Sequence, residues 1–258
     1  MANKYFRFKQ FAIQQETAAF MVTTDSVLLG AWAQIEDTGT ILDIGTGTGL
    51  LALMAAQRSA ARIVAIEPDN GSFVQAGLNF AASPWNDRIT LLNISVQKFM
   101  PEAGMWKERM TPVNAAVQDF YPESGKGFDA IIVNPPYFVD SLLNPDEAKA
   151  RTRHTLTLSQ SDLLEAALRL LNSGGSLHLV LPVTEADRFL PLAVTYGFFC
   201  NRRMLVKPTP AQPPSRVLMT LSREDVPCTE EELTIEKGGR HIYSDEYVSL
   251  TKDFYLKF

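Results

Sequence analysis

The chain has 258 residues, 46% of them hydrophobic and 21% charged, which is the composition of an ordinary globular protein. A formal net charge of −5 argues against a protein that coats nucleic acid broadly, and no uninterrupted apolar run approaches the length of a membrane span. The two cysteines, Cys200 and Cys228, lack metal-ligand spacing, and the first residues lack an apolar signal core. We therefore expect a cytoplasmic protein with reduced thiols, no metal and no membrane partner.

Strand and helix patterns alternate along the chain. In chain order they predict a helix over 25–35, a strand over 40–45, a helix over 50–58, a strand over 62–69, a helix over 70–82, strands over 88–94 and 128–134, a helix over 159–172, a strand over 176–182, a helix over 185–196, strands over 198–208 and 215–224, and a helix over 243–258. Asp25 or Ser26 would open the first helix, and Gly174-Gly175 would close the fourth. The early strand–helix–strand unit implies a parallel sheet with right-handed crossovers.

No linker separates these elements, so we expect one domain over residues 1–258, opened by an extension and helix over 1–35. Residues 85–104, "WNDRITLLNISVQKFMPEAG", reappear at 106–125 as "WKERMTPVNAAVQDFYPESG". Two copies are too few for a solenoid, so residues 85–125 are interpreted as a tandem duplication. Pro112 stands in the second copy where the first has Leu91, which makes the first copy the better strand, but the pattern leaves open which copy fills the sheet.

A glycine-rich turn, "LDIGTGTG" at 42–49, follows the first buried strand and precedes a helix. Such a turn lets a ligand approach the backbone closely, and Glu67 at the end of the next strand can accept both hydroxyls of a ribose. Asp43 beside the glycines would repel a pyrophosphate and instead suits a cationic or zwitterionic ligand such as S-adenosylmethionine. The alternative is a turn that merely requires positive φ angles.

The strand over 128–134 ends in Asn134, Pro135, Pro136 and Tyr137. Proline cannot donate to a sheet ladder, so pairing must stop where Asn134 begins, and the two prolines stiffen the loop. An exocyclic amine on a ring is a poor nucleophile because its lone pair belongs to the π-system. The Asn134 side-chain oxygen and the Pro135 carbonyl can hold both amine hydrogens and aim the lone pair at a methyl group, without a strong base. Tyr137 would stack on the target base.

The order "LDIGTGTG", "AIEPD" and "NPPY" resembles the class I methyltransferases that act on planar nitrogen. Together with "FRFKQF", "VTTDSVLLGAWA", "LLALMAAQR", "ASPWNDRI", "RTRHTLTL" and "LTKDFYL", these motifs resemble the bacterial valine-tRNA adenine-N6 methyltransferases, which modify the adenine at tRNA position 37. The resemblance implies an α/β, Rossmann-like fold with a mostly parallel seven-stranded sheet, an antiparallel closing strand and helices on both faces. An adenine in an anticodon loop is already unpaired, so displacing it costs little free energy.

The resemblance also implies roles for individual residues. Catalysis would use Asn134, Pro135, Pro136 and Tyr137. S-adenosylmethionine would contact Asp43, Gly45, Thr46, Gly47, Gly49, Glu67, Ser95, Val96 and Asn134. The tRNA would contact Lys9, Arg151, Arg153 and His154. Of the other histidines, His178 alternates with apolar residues inside a strand and is interpreted as a core residue, and His241 is isolated.

Three positions depart from the family pattern. Met21 stands where a lysine is usual, Thr23 where a glycine is usual, and Ser95 (or Ala116, if the second copy fills the strand) where an aspartate would contact the cofactor adenine. The segment Asp119-Phe120 could supply that contact instead.

Two other functions stay open at this point. The same loop could serve another planar nitrogen, such as a release-factor glutamine or a ribosomal RNA guanine. The departures could also belong to an inactive RNA- or protein-binding relative. The oligomeric state cannot be predicted.

Overall fold

Short apolar segments rich in Ile, Val and Leu form the central sheet of the protein. The computed structural model describes residues 4–16, 21–37, 39–100, 127–135 and 158–258. The strands of the described residues are β1 (Tyr5–Arg7), β2 (Ala12–Gln14), β3 (Thr40–Ile44), β4 (Arg62–Ile66), β5 (Ile89–Leu92), β6 (Phe128–Val133), β7 (Leu171–Pro182), β8 (Phe199–Lys207), β9 (Arg216–Ser222) and β10 (Thr229–Thr234).

Eight of these described strands form one sheet in the order β10-β8-β9-β7-β6-β3-β4-β5. Strand β9 runs antiparallel to both of its neighbours, β7 and β8, and the remaining pairs are parallel. The predicted α/β class and mostly parallel sheet are therefore confirmed, but the predicted number of seven strands was wrong, because the sheet also includes β10. Strands β1 and β2 pair separately as an antiparallel hairpin.

Helices cover both faces of the sheet. In the described residues they are α1 (Thr24–Trp32), α2 (Leu50–Arg58), α3 (Asn70–Ala81), α4 (Gln160–Leu170), α5 (Val183–Thr195) and α6 (Asp245–Thr251), with a short 3-10 helix at Asn86–Arg88. Successive strand residues point to opposite faces, so Ile41 packs in one buried cluster with Leu53, and Leu42 packs in another with Leu164. None of the helices in the described ranges is long and apolar enough to cross a membrane.

The first helix has its N-cap two or three residues before the predicted position. Thr23 is the N-cap, and its hydroxyl oxygen accepts a hydrogen bond from the Ser26 amide at 3.2 Å. The prediction that Asp25 or Ser26 caps this helix was wrong because both residues lie within its first turn. The Asp25 carboxylate instead accepts from Nε of Arg216 in β9 at 2.7 Å, which ties the start of α1 to the sheet.

The glycine pair after the fourth helix belongs to a strand. Helix α4 ends at Leu170, and β7 already includes Gly174-Gly175, so the predicted glycine cap was wrong. A Cβ atom on Gly175 would lie 2.8 Å from the Phe128 carbonyl oxygen. This glycine therefore permits a close approach of two backbones at the irregularity between β6 and β7.

The first copy of the duplicated segment fills the sheet. Strand β5 comes from that copy and pairs in parallel with β4. The second copy, over 106–125, lies outside the described residues.

Strand β10 was missed from the sequence. It reads "TEEELT", and Leu233 is its one fully buried residue. Three ion pairs join β10 to β8: Arg202–Glu231, Arg203–Glu230 and Lys207–Glu232. Charge complementarity therefore accompanies the pairing of this edge strand, and the hydrophobic alternation on which the prediction depended is absent.

Candidate active site at the carboxyl ends of the parallel strands

Four neighbouring parallel strands bring the predicted cofactor and catalytic residues to one edge of the sheet. Their order is β6-β3-β4-β5. The glycine turn follows β3, Glu67 follows β4, Ser95 lies shortly after β5, and Asn134 follows β6. The carboxyl ends of parallel strands are where α/β proteins bind their ligands. The topology therefore places the glycine turn between Asn134 on one side and Glu67 and Ser95 on the other.

The glycine turn is left-handed at three positions and open at two of them. Gly45, Gly47 and Gly49 have φ angles of 66°, 57° and 87°, values that disfavour a side chain. A Cβ atom on Gly45 would meet nothing within 4 Å, and one on Gly47 would meet only the Gly45 carbonyl oxygen at 4.0 Å. A Cβ on Gly49 would lie 2.4 Å from the Phe80 ring. Gly49 is therefore needed for packing, whereas Gly45 and Gly47 border open space.

Glu67 connects the second strand to the glycine turn. Its Oε2 accepts from the Gly47 amide at 2.9 Å, and its Oε1 accepts from the Asp69 amide at the same distance. The Glu67 carbonyl in turn accepts from the Asn93 side-chain amide at 2.8 Å. Burial raises the pKa of Glu67, and the two backbone donors partly offset this effect. Each carboxylate oxygen has a second lone pair, so the group can still accept hydroxyl donors from a ligand.

Asp43 is almost fully buried below the turn, with 1% of its surface exposed. Its Oδ2 accepts from the Thr46 hydroxyl at 2.5 Å and from the Ala52 amide at 3.0 Å. Its Oδ1 is buried without a hydrogen-bond partner among the described residues. Burial raises the pKa of Asp43 to about 7, although both hydrogen bonds act in the opposite direction. A buried carboxylate with an unpartnered oxygen suits a cationic ligand group.

Beyond β5, Ser95 is 4% exposed, and its hydroxyl oxygen has no hydrogen-bond partner in the part of the chain that the structure describes. The neighbouring Val96 packs in the core, and its carbonyl accepts from the Arg169 guanidinium in α4 at 3.0 Å. The segment after β5 is thus fixed to α4, with the Ser95 hydroxyl oxygen buried beside it.

Asn134 is half-buried directly after β6, and Pro135 is buried. The Asn134 side-chain nitrogen donates to the Ser26 hydroxyl oxygen at 2.7 Å, across 108 positions of the chain. Sequence reasoning missed this contact because it considered Ser26 only as a helix cap.

Several predicted site residues fall outside the described residues. They are Pro136, Tyr137, Arg151, Arg153 and His154, together with Ala116 and the Asp119-Phe120 alternative.

Lys9 is described and exposed, and its ammonium group donates to the carbonyls of Lys252 and Phe258 at 2.6 and 2.8 Å. This lysine therefore joins the N-terminal hairpin to the segment that follows α6. Its predicted contact with tRNA stays a prediction.

His178 and the two cysteines have partners of their own. His178 is fully buried in β7 between the hydroxyls of Ser176 and Thr220, as its apolar neighbours predicted. Burial lowers the pKa of His178 to about 3, so this side chain is neutral. The Cys200 and Cys228 sulfurs lie 3.7 Å apart as free thiols. Within the described ranges, no group of three acidic, histidine or cysteine side chains could hold a metal ion.

The architecture matches that of solved methyltransferase structures. A predicted O-methyltransferase from Agrobacterium tumefaciens superposes with a TM-score of 0.61 at 19% identity, covering 89% of this chain and 96% of that one. A methyltransferase from Pyrococcus furiosus gives 0.52 at 22% identity, covering 83% and 89%. The unpartnered Asp43 and Ser95 oxygens and the space beside Gly45 and Gly47 fit S-adenosylmethionine. The fold is that of the class I S-adenosylmethionine-dependent methyltransferases, and the site has the residues expected to hold their methyl donor.

Relatives that match along their whole length show which methyltransferase family the chain belongs to. A tRNA1(Val) (adenine(37)-N6)-methyltransferase from Trichodesmium erythraeum is 41% identical over 261 residues, covering 100% of both chains. One of the same name from Bacteroides thetaiotaomicron is 42% identical over 258 residues, covering 99% of both. The chain belongs to the tRNA1(Val) (adenine(37)-N6)-methyltransferase family, which confirms the resemblance noted from the motifs.

The family model of the ribosomal protein L11 methyltransferases also matches, but only over residues 22–108, less than half of the chain. The matched part contains the glycine turn and Glu67 and ends before Asn134. The similarity therefore covers residues predicted to bind the cofactor and not those predicted to hold the substrate amine.

Proposed function

We propose that this protein transfers a methyl group from S-adenosylmethionine to the N6 amine of the adenine at position 37 of a valine tRNA, with Asn134 and Pro135 holding that amine. The observation that carries the proposal is the position of Asn134. It is half-buried at the carboxyl end of β6, and β6 is the direct neighbour of the strand that ends in the glycine turn. This topology supports a substrate nitrogen and a methyl donor meeting at one edge of the sheet.

The chemistry requires acceptors for the amine hydrogens. The lone pair of the adenine amine is delocalised into the ring, so the amine must be drawn toward tetrahedral geometry before it can attack. The Asn134 oxygen and the Pro135 carbonyl would each accept one amine hydrogen and aim the lone pair along the line of transfer. Proline fixes its own φ angle, so these two acceptors are held in place before the substrate arrives.

The cofactor-binding side of the site consists of residues whose remaining hydrogen-bonding capacity is complementary to the groups of S-adenosylmethionine. Asp43 would face its cationic amino group, Gly45 and Gly47 would allow close contact with the backbone, Glu67 would accept from the ribose hydroxyls, and the Ser95 hydroxyl would contact the adenine. When bound, S-adenosylmethionine supplies an electrophilic methyl group on a sulfonium. Asp43 and Glu67 are held by backbone donors and need little rearrangement.

An anticodon loop suits this site because its adenine is unpaired and can leave the stack at little cost. Tyr137 would stack on the displaced base. Lys9, Arg151, Arg153 and His154 would contact the RNA backbone, where cations mainly fix the orientation of the nucleic acid. Because the net charge of the chain is −5, we expect these contacts to be local and not a broad basic surface.

The direct test is to incubate the purified protein with total tRNA and methyl-labelled S-adenosylmethionine and then digest the RNA to nucleosides. We expect the label in N6-methyladenosine from valine tRNA. As a matched control, a valine tRNA transcript with guanine at position 37 should stay unlabelled. Label in guanosine, or in a protein substrate such as a release factor or ribosomal protein L11, would overturn the proposal. A protein that binds the donor and labels nothing would be the inactive relative.

A further inference from the structure

A side-chain contact between α1 and β6 fixes which way the Asn134 carboxamide faces. The Asn134 Nδ2 atom donates to Oγ of Ser26 at 2.7 Å, a distance at the short end for an N–H···O hydrogen bond. The nitrogen and the oxygen of a carboxamide are bonded to the same carbon and point in different directions. With Nδ2 against Ser26, Oδ1 is the atom left to accept, and among the described residues none donates to it.

This orientation matters because the two ends of a carboxamide have nearly the same shape and opposite hydrogen-bonding character. The amine proposed to bind here offers hydrogens, so Oδ1 can receive it and Nδ2 cannot. An Asn134 turned by half a rotation would place its own N–H groups against the substrate amine. The reaction therefore depends on a partner that engages the nitrogen and leaves the oxygen for the substrate.

Ser26 can accept a hydrogen bond from the Asn134 nitrogen because its own hydroxyl proton has another acceptor. The Thr23 hydroxyl oxygen lies 3.1 Å from Oγ of Ser26. With the Ser26 proton directed to Thr23, Ser26 presents a lone pair to Asn134 and selects the nitrogen. Thr23 itself is fixed as the N-cap of α1, and the Asp25–Arg216 ion pair anchors the same turn to β9.

We propose that Ser26 is a positioning residue, which orients the Asn134 carboxamide so that its oxygen faces the substrate amine. This inference rests on the proposed function. Ser26 does not cap the helix with its side chain, since the cap uses the Thr23 oxygen and the Ser26 backbone amide. The Ser26 side chain can therefore be changed while that cap stays intact.

The test uses Ser26→Ala, with Ser26→Thr to restore a hydroxyl and Thr24→Ala to remove an exposed hydroxyl two positions away in the same turn. We expect Ser26→Ala to lower kcat for tRNA about tenfold, the effect of one lost positioning hydrogen bond. The affinity for S-adenosylmethionine should stay within about twofold of the wild-type value, because the lost interaction acts only after the donor is bound. Ser26→Thr should recover most of the rate, and Thr24→Ala should match the wild type.

A second measurement asks whether Ser26 acts through the carboxamide. In Asn134→Asp the side chain has an acceptor on both sides, so Ser26 has no orientation to select. Removing the Ser26 hydroxyl should then change the residual rate less than about twofold, which appears as non-additivity in a double-mutant cycle. An unchanged kcat in Ser26→Ala, or an equal loss in Thr24→Ala, would overturn this inference and leave the proposed function standing. A wild-type protein that methylates no tRNA adenine would overturn both.

Discussion

The Gly47 amide donates a hydrogen bond to Oε2 of Glu67 at 2.9 Å, which joins the glycine turn after β3 to the acid after β4. A single side chain thus holds the backbone that would surround the cofactor while keeping lone pairs for a ribose. Its other oxygen accepts from the Asp69 amide, so both oxygens are already oriented. The glycine turn and the acid are therefore parts of one hydrogen-bonded unit and not two separate motifs.

Replacing Glu67 by Gln should weaken cofactor binding. The amide would turn an N–H group toward one of the two backbone donors and would also remove the charge that strengthens the hydrogen bonds. We expect the Kd for S-adenosylmethionine, measured by calorimetry, to rise tenfold to a hundredfold, roughly the 1.5–3 kcal/mol of hydrogen bonds to a charged group. The matched control is Asp69→Asn, which removes a neighbouring charge and keeps the α3 cap. Equal Kd values for Glu67→Gln and the wild type would contradict the assignment.

A methyl group at Gly47 should impair binding while leaving the fold intact. The left-handed backbone of Gly47 would cost about 1–2 kcal/mol with any side chain, but its Cβ would meet only the Gly45 carbonyl oxygen, at 4.0 Å. Gly197 offers a control with the same strain, since its φ is 76° and its Cβ would meet nothing within 4 Å. We expect Gly47→Ala and Gly197→Ala to lower Tm similarly, by roughly 2–4 °C per kcal/mol. Only Gly47→Ala should raise the Kd for S-adenosylmethionine. Equal Kd values in the two variants would show that the space beside Gly47 does not hold the cofactor.

Asp43 should make the protein without its cofactor less stable at alkaline pH. Burial raises the pKa of Asp43 to about 7, whereas an unfolded aspartate titrates near 3.9. A raised folded-state pKa contributes stability that is complete below the unfolded value and is lost as the pH rises through about 7. Asn at this position keeps an oxygen for the Thr46 and Ala52 donors and cannot ionise. Thermal unfolding should therefore give similar Tm values for Asp43→Asn and the wild type only near pH 4, close to the unfolded pKa, and a Tm for the variant that is increasingly higher up to about pH 7 and stays higher at pH 8. If the Tm values of the variant and the wild type changed in parallel across this pH range, the buried Asp43 carboxyl would not be the source of the pH dependence.

Local patterns in the sequence were sufficient to predict most of the parallel sheet and the glycine turn. Helix α2 occupies the predicted residues 50–58, and β3 and β4 begin at the predicted positions, because apolar runs and glycines fix these elements within a few residues. Strand β10 was missed because cross-strand ion pairs, not an apolar face, accompany its pairing. The Gly174-Gly175 pair was misassigned because a helix cap and a close backbone approach both favour glycine.

The site residues near the strand ends were predictable from the sequence, whereas contacts between residues far apart in the chain were not. Asp43, Glu67 and Asn134 stand out because each lies near or just after the carboxyl end of a buried strand, and parallel pairing then brings them to one edge. The Asn134–Ser26 contact was not predictable, because nothing in a local pattern relates a serine in a helix to an asparagine 108 positions later. For the same reason, the sequence did not predict that the Lys9 ammonium group donates to two carbonyls near the other end of the chain.

The measurement that tests the role of Asn134 most directly is single-turnover methyl transfer to a valine tRNA transcript by Asn134→Ala, with both substrates saturating. We expect the rate to fall a hundredfold or more, as when one preorganised polar group is removed from the reacting centre, or roughly 3 kcal/mol of activation free energy. Calorimetry should give a Kd for S-adenosylmethionine within about twofold of the wild type, because the lost interaction acts on the amine. An Asn134→Ala protein that methylates N6 of adenine 37 at the wild-type rate would contradict the account.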